Sequence, residues 1–153
     1  MSLITSVPAF RLWTAAAVAA GMVAGLAGCG DDDDTTVAGK TAETVQVTLS
    51  DFKIELGTTS VAAREVRFAV ENKGPSIHEF VVFRTDLAAD ALPTGADGDV
   101  AEGDSFAPVD EIEDIASGAR PNLTIDLAAG NYVVICNVPT HYRQGMYASL
   151  TVE

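Results

Sequence analysis

Two cysteines, two histidines and one tryptophan are spread over 153 residues. Cations are scarce too: nine Lys and Arg face 22 Asp and Glu, for a net charge of −13. Nucleic acid is thereby excluded as a partner, because phosphate binding needs a basic face. The longest apolar run, Thr14–Gly28, is too short and too rich in Ala and Gly for a comfortable membrane span. Two histidines are also too few for a multinuclear copper oxidase cluster. No internal repeat is visible, and the length suits one domain.

The N-terminus is a separate piece. Arg11 precedes the apolar run and small residues end it, the pattern of an export signal over residues 1–28. Leu26-Ala27-Gly28-Cys29 resembles the lipobox of bacterial lipoproteins, in which cleavage precedes a lipidated Cys. That resemblance implies attachment of lipid at Cys29 and anchoring on the outer face of the cytoplasmic membrane. Each buried CH2 of such an anchor contributes about 0.8 kcal/mol. Loss of Arg11, the only charged side chain before Cys29, leaves eight basic and 22 acidic residues, a net charge of −14. Residues 29–43, with Asp31 to Asp34 in succession, read as a solvated acidic linker.

From residue 44 the hydrophobic period is two. Val45, Val47 and Leu49 alternate with polar residues, as do Val66, Phe68 and Val70. Leu123, Ile125 and Leu127 repeat the pattern, and so do Ala148, Leu150 and Val152. These are half-buried strands. IHEFVVF and NYVVIC are apolar on both faces and read as more central strands. Turn signals at Asn72-Lys73-Gly74-Pro75, Ser117-Gly118 and Ala129-Gly130-Asn131 separate them. The class is all-β, a sandwich or barrel. One region departs from the pattern: Asp86 to Asp114 holds ten acids and no Lys or Arg. It reads as an acidic insertion with a short helix or turn near Asp110–Ile115. Its ADGDVAEGD stretch does not have the spacing of an EF-hand loop.

CNVPTHYRQGM places Cys136, His141 and Met146 with four residues between each pair. Cys136 ends a strand in register with Tyr132 and Val134. Met146 starts the last strand in register with Ala148 and Leu150. If the two strands pair antiparallel, both side chains point inward at one pole, with His141 in the loop between them. His78 begins a central strand in register with Phe80. A lone inward Met is usually core, a buried Cys is usually inert, and a Cys–His pair is also a nucleophile with its base. Taken together, a thiolate, two imidazoles and a thioether form the soft, mixed donor set of a blue copper site. Zinc has little use for a thioether, and calcium wants oxygen.

GPSIHEFVVF and NYVVICNVPTHYRQGMYASLTV together resemble the cupredoxin family, which includes plastocyanin, azurin, auracyanin and rusticyanin. The ligand loop is most similar to that of the last two, and the resemblance spans residues 44–153. It implies a Greek-key β-sandwich of about eight strands. It implies one type 1 copper ion held by His78, Cys136, His141 and Met146, with no catalytic residue. It also implies an exposed edge at His141 for electron exchange, ringed here by Pro139 and Tyr142. Glu79 stands where many relatives have Asn or Ser, and Thr140 where rusticyanin-like loops often have Gly.

The expected protein is a membrane-anchored, monomeric one-electron carrier and not an enzyme. Its partners would be redox proteins, with the acidic charge favouring cationic ones. Two rivals are copper storage or delivery and a metal-free interaction module on the same scaffold. Delivery sites tend to be rich in Met and His, whereas this chain has a single Met after Cys29.

Overall fold

The alternating runs become strands, and a computed structural model describes residues 42–62, 65–103 and 106–153. The export signal, Cys29 and nearly all of the linker lie outside the described residues. The described segments belong to one compact unit, Val37–Glu153. No helix among them is long and apolar enough to cross a membrane.

Nine strands are described: β1 Glu43–Ser50, β2 Lys53–Leu56, β3 Ser60–Val61, β4 Glu65–Asn72, β5 His78–Arg84, β6 Asp110–Ile115, β7 Asn122–Asp126, β8 Gly130–Ile135 and β9 Tyr147–Val152. They form two sheets, of order β2-β1-β4-β7 and β3-β9-β8-β5-β6. β1 pairs parallel with β4, and β3 with β9; the other ladders are antiparallel. The fold is a Greek-key β-sandwich.

The core follows the period of two. Val45, Val47, Leu49, Val66, Phe68 and Val70 point from the first sheet into the sandwich. Phe80, Val82, Tyr132, Val134, Leu150 and Val152 meet them from the second. Phe68 and Phe80 touch across the interface, with ring centroids 5.2 Å apart.

β5 and β8 are interior strands of the second sheet, as their apolar faces imply. Their second face has a separate cover. Val81, Phe83, Val133 and Ile135 pack beneath Leu92, Val100 and Tyr142 in a second buried cluster. Phe106 stacks on Phe83 with centroids 4.7 Å apart. The acidic insertion is therefore a lid over this face, seated by a few apolar residues.

The helix or turn expected at Asp110–Ile115 is instead the edge strand β6, antiparallel to β5. Ile112 and Ile115, three apart, imitate helical spacing. A bulge accounts for it: His78 pairs with Ile115 and Phe80 with Ile112, so β6 carries one extra residue opposite β5. Asp114 takes φ 51° there. Both isoleucines consequently face the core.

Candidate metal centre

Strand ends build the site. β8 and β9 pair as far as Ile135 and Tyr147, which leaves Cys136 opposite Met146 at the open pole. The Cys136 N–H donates to Met146 O at 3.0 Å, and the Met146 N–H donates to His141 O at 3.2 Å. Between them the chain folds tightly: His141 N–H donates to Val138 O, and Tyr142–Gln144 form one 3-10 turn. Gly145 ends that turn at φ 104°, where a side chain would be strained. Thr140, at the position often held by Gly, does adopt a left-handed φ of 74°.

The inward register is as read from the sequence. Cys136, Met146 and His78 are each 0% exposed, and His141 is half-buried. Three donor atoms converge. His78 Nδ1 and His141 Nδ1 are 3.3 Å apart, and Cys136 Sγ lies 3.7 Å and 3.4 Å from them respectively. A point equidistant from three atoms so spaced is about 2 Å from each, a metal–imidazole bond length. Met146 shares the apolar cluster of Cys136 and is tied to it through the backbone.

The electrostatics suit a soft cation. Burial pushes the Cys136 thiol up, while the backbone N–H groups of Glu79 and Val138 pull it back. The Glu79 N–H donates to Sγ at 3.3 Å. This backbone bond links the two ligand segments, a task for which the Glu79 side chain is not needed. Burial, and then the neighbouring His141, hold the His78 imidazole below its usual range, against an opposing pull from Asp51. His78 is thus kept neutral, as a metal ligand must be.

A match to a family profile agrees with this geometry: residues 41–153 match the copper-binding proteins of the plastocyanin/azurin family. The chain belongs to that family. No curated protein sequence matches it. Among solved structures, this cupredoxin is similar to the dithionite-reduced auracyanin of Roseiflexus castenholzii. The TM-score is 0.55 at 18% identity, over 73% of this chain and 98% of the other. It is similar to auracyanin A of Chloroflexus aurantiacus, with TM-score 0.54 and 21% identity over 74% and 100% of the two chains. Reduced rusticyanin gives TM-score 0.51 and 17% identity over 79% and 89%. At such identities these likenesses speak to fold alone. The family and the donor set together fit one type 1 copper ion.

Some surroundings of the cupredoxin site were not foreseen. Tyr142 does not ring an exposed His141; it is 3% exposed and turned into the second cluster. Its hydroxyl donates to Ala89 O and accepts the Leu92 N–H, both at 2.8 Å. Burial raises the Tyr142 hydroxyl, so it stays protonated. Asn137, next to the ligand Cys, accepts the Val100 N–H at 2.6 Å. Arg143 donates to Thr94 Oγ1 and Gly95 O, both at 3.0 Å. Three side chains of the ligand loop thus clamp the acidic insertion.

The aromatic neighbour of His141 is Phe52, from the β1–β2 turn. It lies edge-on at 5.4 Å, 42% exposed, with a left-handed φ of 61°. No sequence motif marks it, since its partner is 89 positions away.

Proposed function

We propose that this cupredoxin carries single electrons on a copper ion that would be held by His78, Cys136, His141 and Met146. Copper supplies the one-electron change between Cu(I) and Cu(II) when bound. The observation that carries the reading is the donor triangle, whose sides are 3.3, 3.4 and 3.7 Å. Donors so spaced on strand ends and a tight loop would need little rearrangement on either side of an electron transfer. The strand pair β8–β9 and the buried core hold Cys136 and Met146. The half-buried His141 is the donor nearest solvent and so the natural contact for a partner. The donor set is that of an electron-transfer site, which favours a carrier over an enzyme.

Absorption of the Cu(II)-loaded protein tests this. A strong thiolate-to-copper band in the visible is expected, and Cys136→Ser should abolish it. Met146→Gln should keep the colour and lower the potential, because an amide oxygen favours Cu(II). A colourless adduct, or a band that survives Cys136→Ser, would sink the copper assignment.

The same proposal places the protein outside the cytoplasm, held by lipid on Cys29, as Leu26-Ala27-Gly28-Cys29 supports. Mass spectrometry of the mature chain should find acyl groups on Cys29, and Cys29→Ala should remove them. Redox proteins with a cationic docking face are the proposed partners. An acidic hollow of about 460 Å³, lined by Glu79, Asp99, Glu102, Glu111 and Glu113, supports that choice. Electron exchange with such a partner should slow as salt rises, since screening shortens from about 10 Å at 0.1 M to 3 Å at 1 M. Rates indifferent to salt would remove the acidic surface from the docking.

A further inference from the structure

The β1–β2 turn sets a side chain against each imidazole. Phe52 meets His141, and Asp51 meets His78: Asp51 Oδ1 lies 3.4 Å from His78 Nε2. That nitrogen faces away from the donor triangle, which uses Nδ1. Among the described residues it is the buried side-chain polar atom with no well-aligned hydrogen bond. An orphaned N–H in a dry interior is costly, and this carboxylate stands beside it.

The carboxylate is itself held in place. Ser76 Oγ donates to Asp51 Oδ2 at 3.2 Å, which leaves Oδ1 toward the ring. Ser76 sits in the loop between β4 and β5, and the buried Asn72 closes that loop. Asn72 Nδ2 donates to Ser76 O and Ile115 O, and Asn72 Oδ1 accepts the Gly74 N–H. Gly74 leaves the approach open. A Cβ there would stand 2.8 Å from Asp51 Oδ1 and 3.1 Å from His78 Nε2, wedged into the contact.

We infer that Asp51 is a positioning residue for His78: its Oδ1 accepts the Nε2–H, and its negative charge favours the more oxidised metal. The inference rests on the copper reading of the centre. Acceptance at Nε2 fixes the tautomer, so the Nδ1 lone pair faces Cys136 and His141. Metal-binding histidines usually donate their other N–H to such an outer partner, which sets ring orientation and basicity. At 3.4 Å the contact is longer than a well-formed bond of 2.7–3.2 Å. An imidazole loaded at Nδ1 is a stronger N–H donor, which favours closing it.

Three variants of the purified protein separate the roles. Asp51→Asn keeps an acceptor and removes the charge. Asp51→Ala removes both. Gly74→Ala leaves the carboxylate but obstructs its approach. On metal-free protein, imidazole 15N NMR reads the His78 tautomer and the exchange rate of its Nε2–H. The wild type should be protonated at Nε2, and exchange should be about tenfold faster in Asp51→Ala and Gly74→Ala, the loss of roughly one hydrogen bond. On copper-loaded protein, voltammetry reads the relative affinity for Cu(I) and Cu(II). Asp51→Asn should shift it about tenfold toward Cu(I), with the visible band kept. Unchanged exchange in Asp51→Ala, or a potential in Asp51→Asn that stays or falls, overturns the inference. A wild type without the charge-transfer band overturns the copper reading instead, and the metal-free exchange then decides on Asp51 alone. If Asp51→Ala does not fold, Gly74→Ala carries the exchange measurement and Asp51→Asn the potential.

Discussion

The Asp51–Phe52 turn and the insertion between β5 and β6 both reach the metal centre, from different distances and with different effects. The turn is two residues long and touches the imidazole rings themselves. The insertion is roughly ten times longer, and its described residues make no hydrogen bond to the ring nitrogens or the sulfur. It holds the loop that bears Cys136, His141 and Met146, through Asn137, Tyr142 and Arg143. A contact at a ring atom acts on the electrons of the site. A contact at the loop acts on how firmly the site is closed. The two regions should therefore be separable by experiment: potential for the turn, stability for the insertion.

The sharpest separation should come at Tyr142. Tyr142→Ala empties a buried aromatic position in the second cluster and should cost about 3–5 kcal/mol in thermal or denaturant unfolding. Tyr142→Phe removes only the hydroxyl that joins Ala89 O to the Leu92 N–H, and should cost about 1 kcal/mol. Amide exchange should then quicken in residues 86–103 and 136–146 together, while the potential stays close to that of the wild type. A large potential change in Tyr142→Phe with stability intact would break the comparison.

A smaller effect of opposite sign belongs to the ligand loop itself. Thr140 sits at φ 74°, strained for a β-branched side chain. Its hydroxyl accepts from Gln144 Nε2 at 3.1 Å, a partial compensation on an exposed surface. Thr140→Gly should stabilise the metal-free protein by up to about 1 kcal/mol. Destabilisation would mean that the hydroxyl contact outweighs the backbone strain.

The smallest expected effect is one of pH, at the seam between β5 and the insertion. Burial raises the Glu79 carboxyl, and Glu113, Glu111, Glu102 and Asp114 raise it further. Burial raises Glu111 as well, with Glu102, Glu113 and Asp110 adding to the shift. A carboxyl whose folded pKa exceeds its unfolded one stabilises fully below the unfolded value, and that stability fades as pH rises through the folded value. The melting temperature of the metal-free wild type should thus gain between pH 7 and pH 5, relative to a Glu79→Gln, Glu111→Gln double variant. At pH 7 the double variant should melt higher than the wild type. Parallel profiles would show these carboxylates to be well solvated.

What could be read from the sequence was whatever depended on near neighbours. β1, β4, β7 and β9 each bury alternate residues, so their period announced them. Cys136, His141 and Met146 lie on one loop, and strand register alone sends Cys136 and Met146 inward. β6 stayed hidden because its bulge sets Ile112 and Ile115 at a helical spacing. Tyr142 was misplaced because its cover comes from a segment that looks wholly polar. Ala89, Leu92, Val100 and Phe106, scattered among acids, give that cover away. Asp51 carries no motif at all. Its relation to His78 exists only once the turn and the β4–β5 loop meet at Gly74.

β6 has a further consequence. Among the described strands it is one of the two edges of its sheet, paired with β5 on one side only. Open edges invite another chain to add a strand, the first step of many aggregates. Here the edge reads DEIEDI, with Asp110, Glu113 and Asp114 exposed. A second copy laid against it antiparallel would bring carboxylates to within about 5 Å of one another, one strand spacing. Like charges so placed would oppose the zipping together of neighbouring copies along this edge, as a guard rail does.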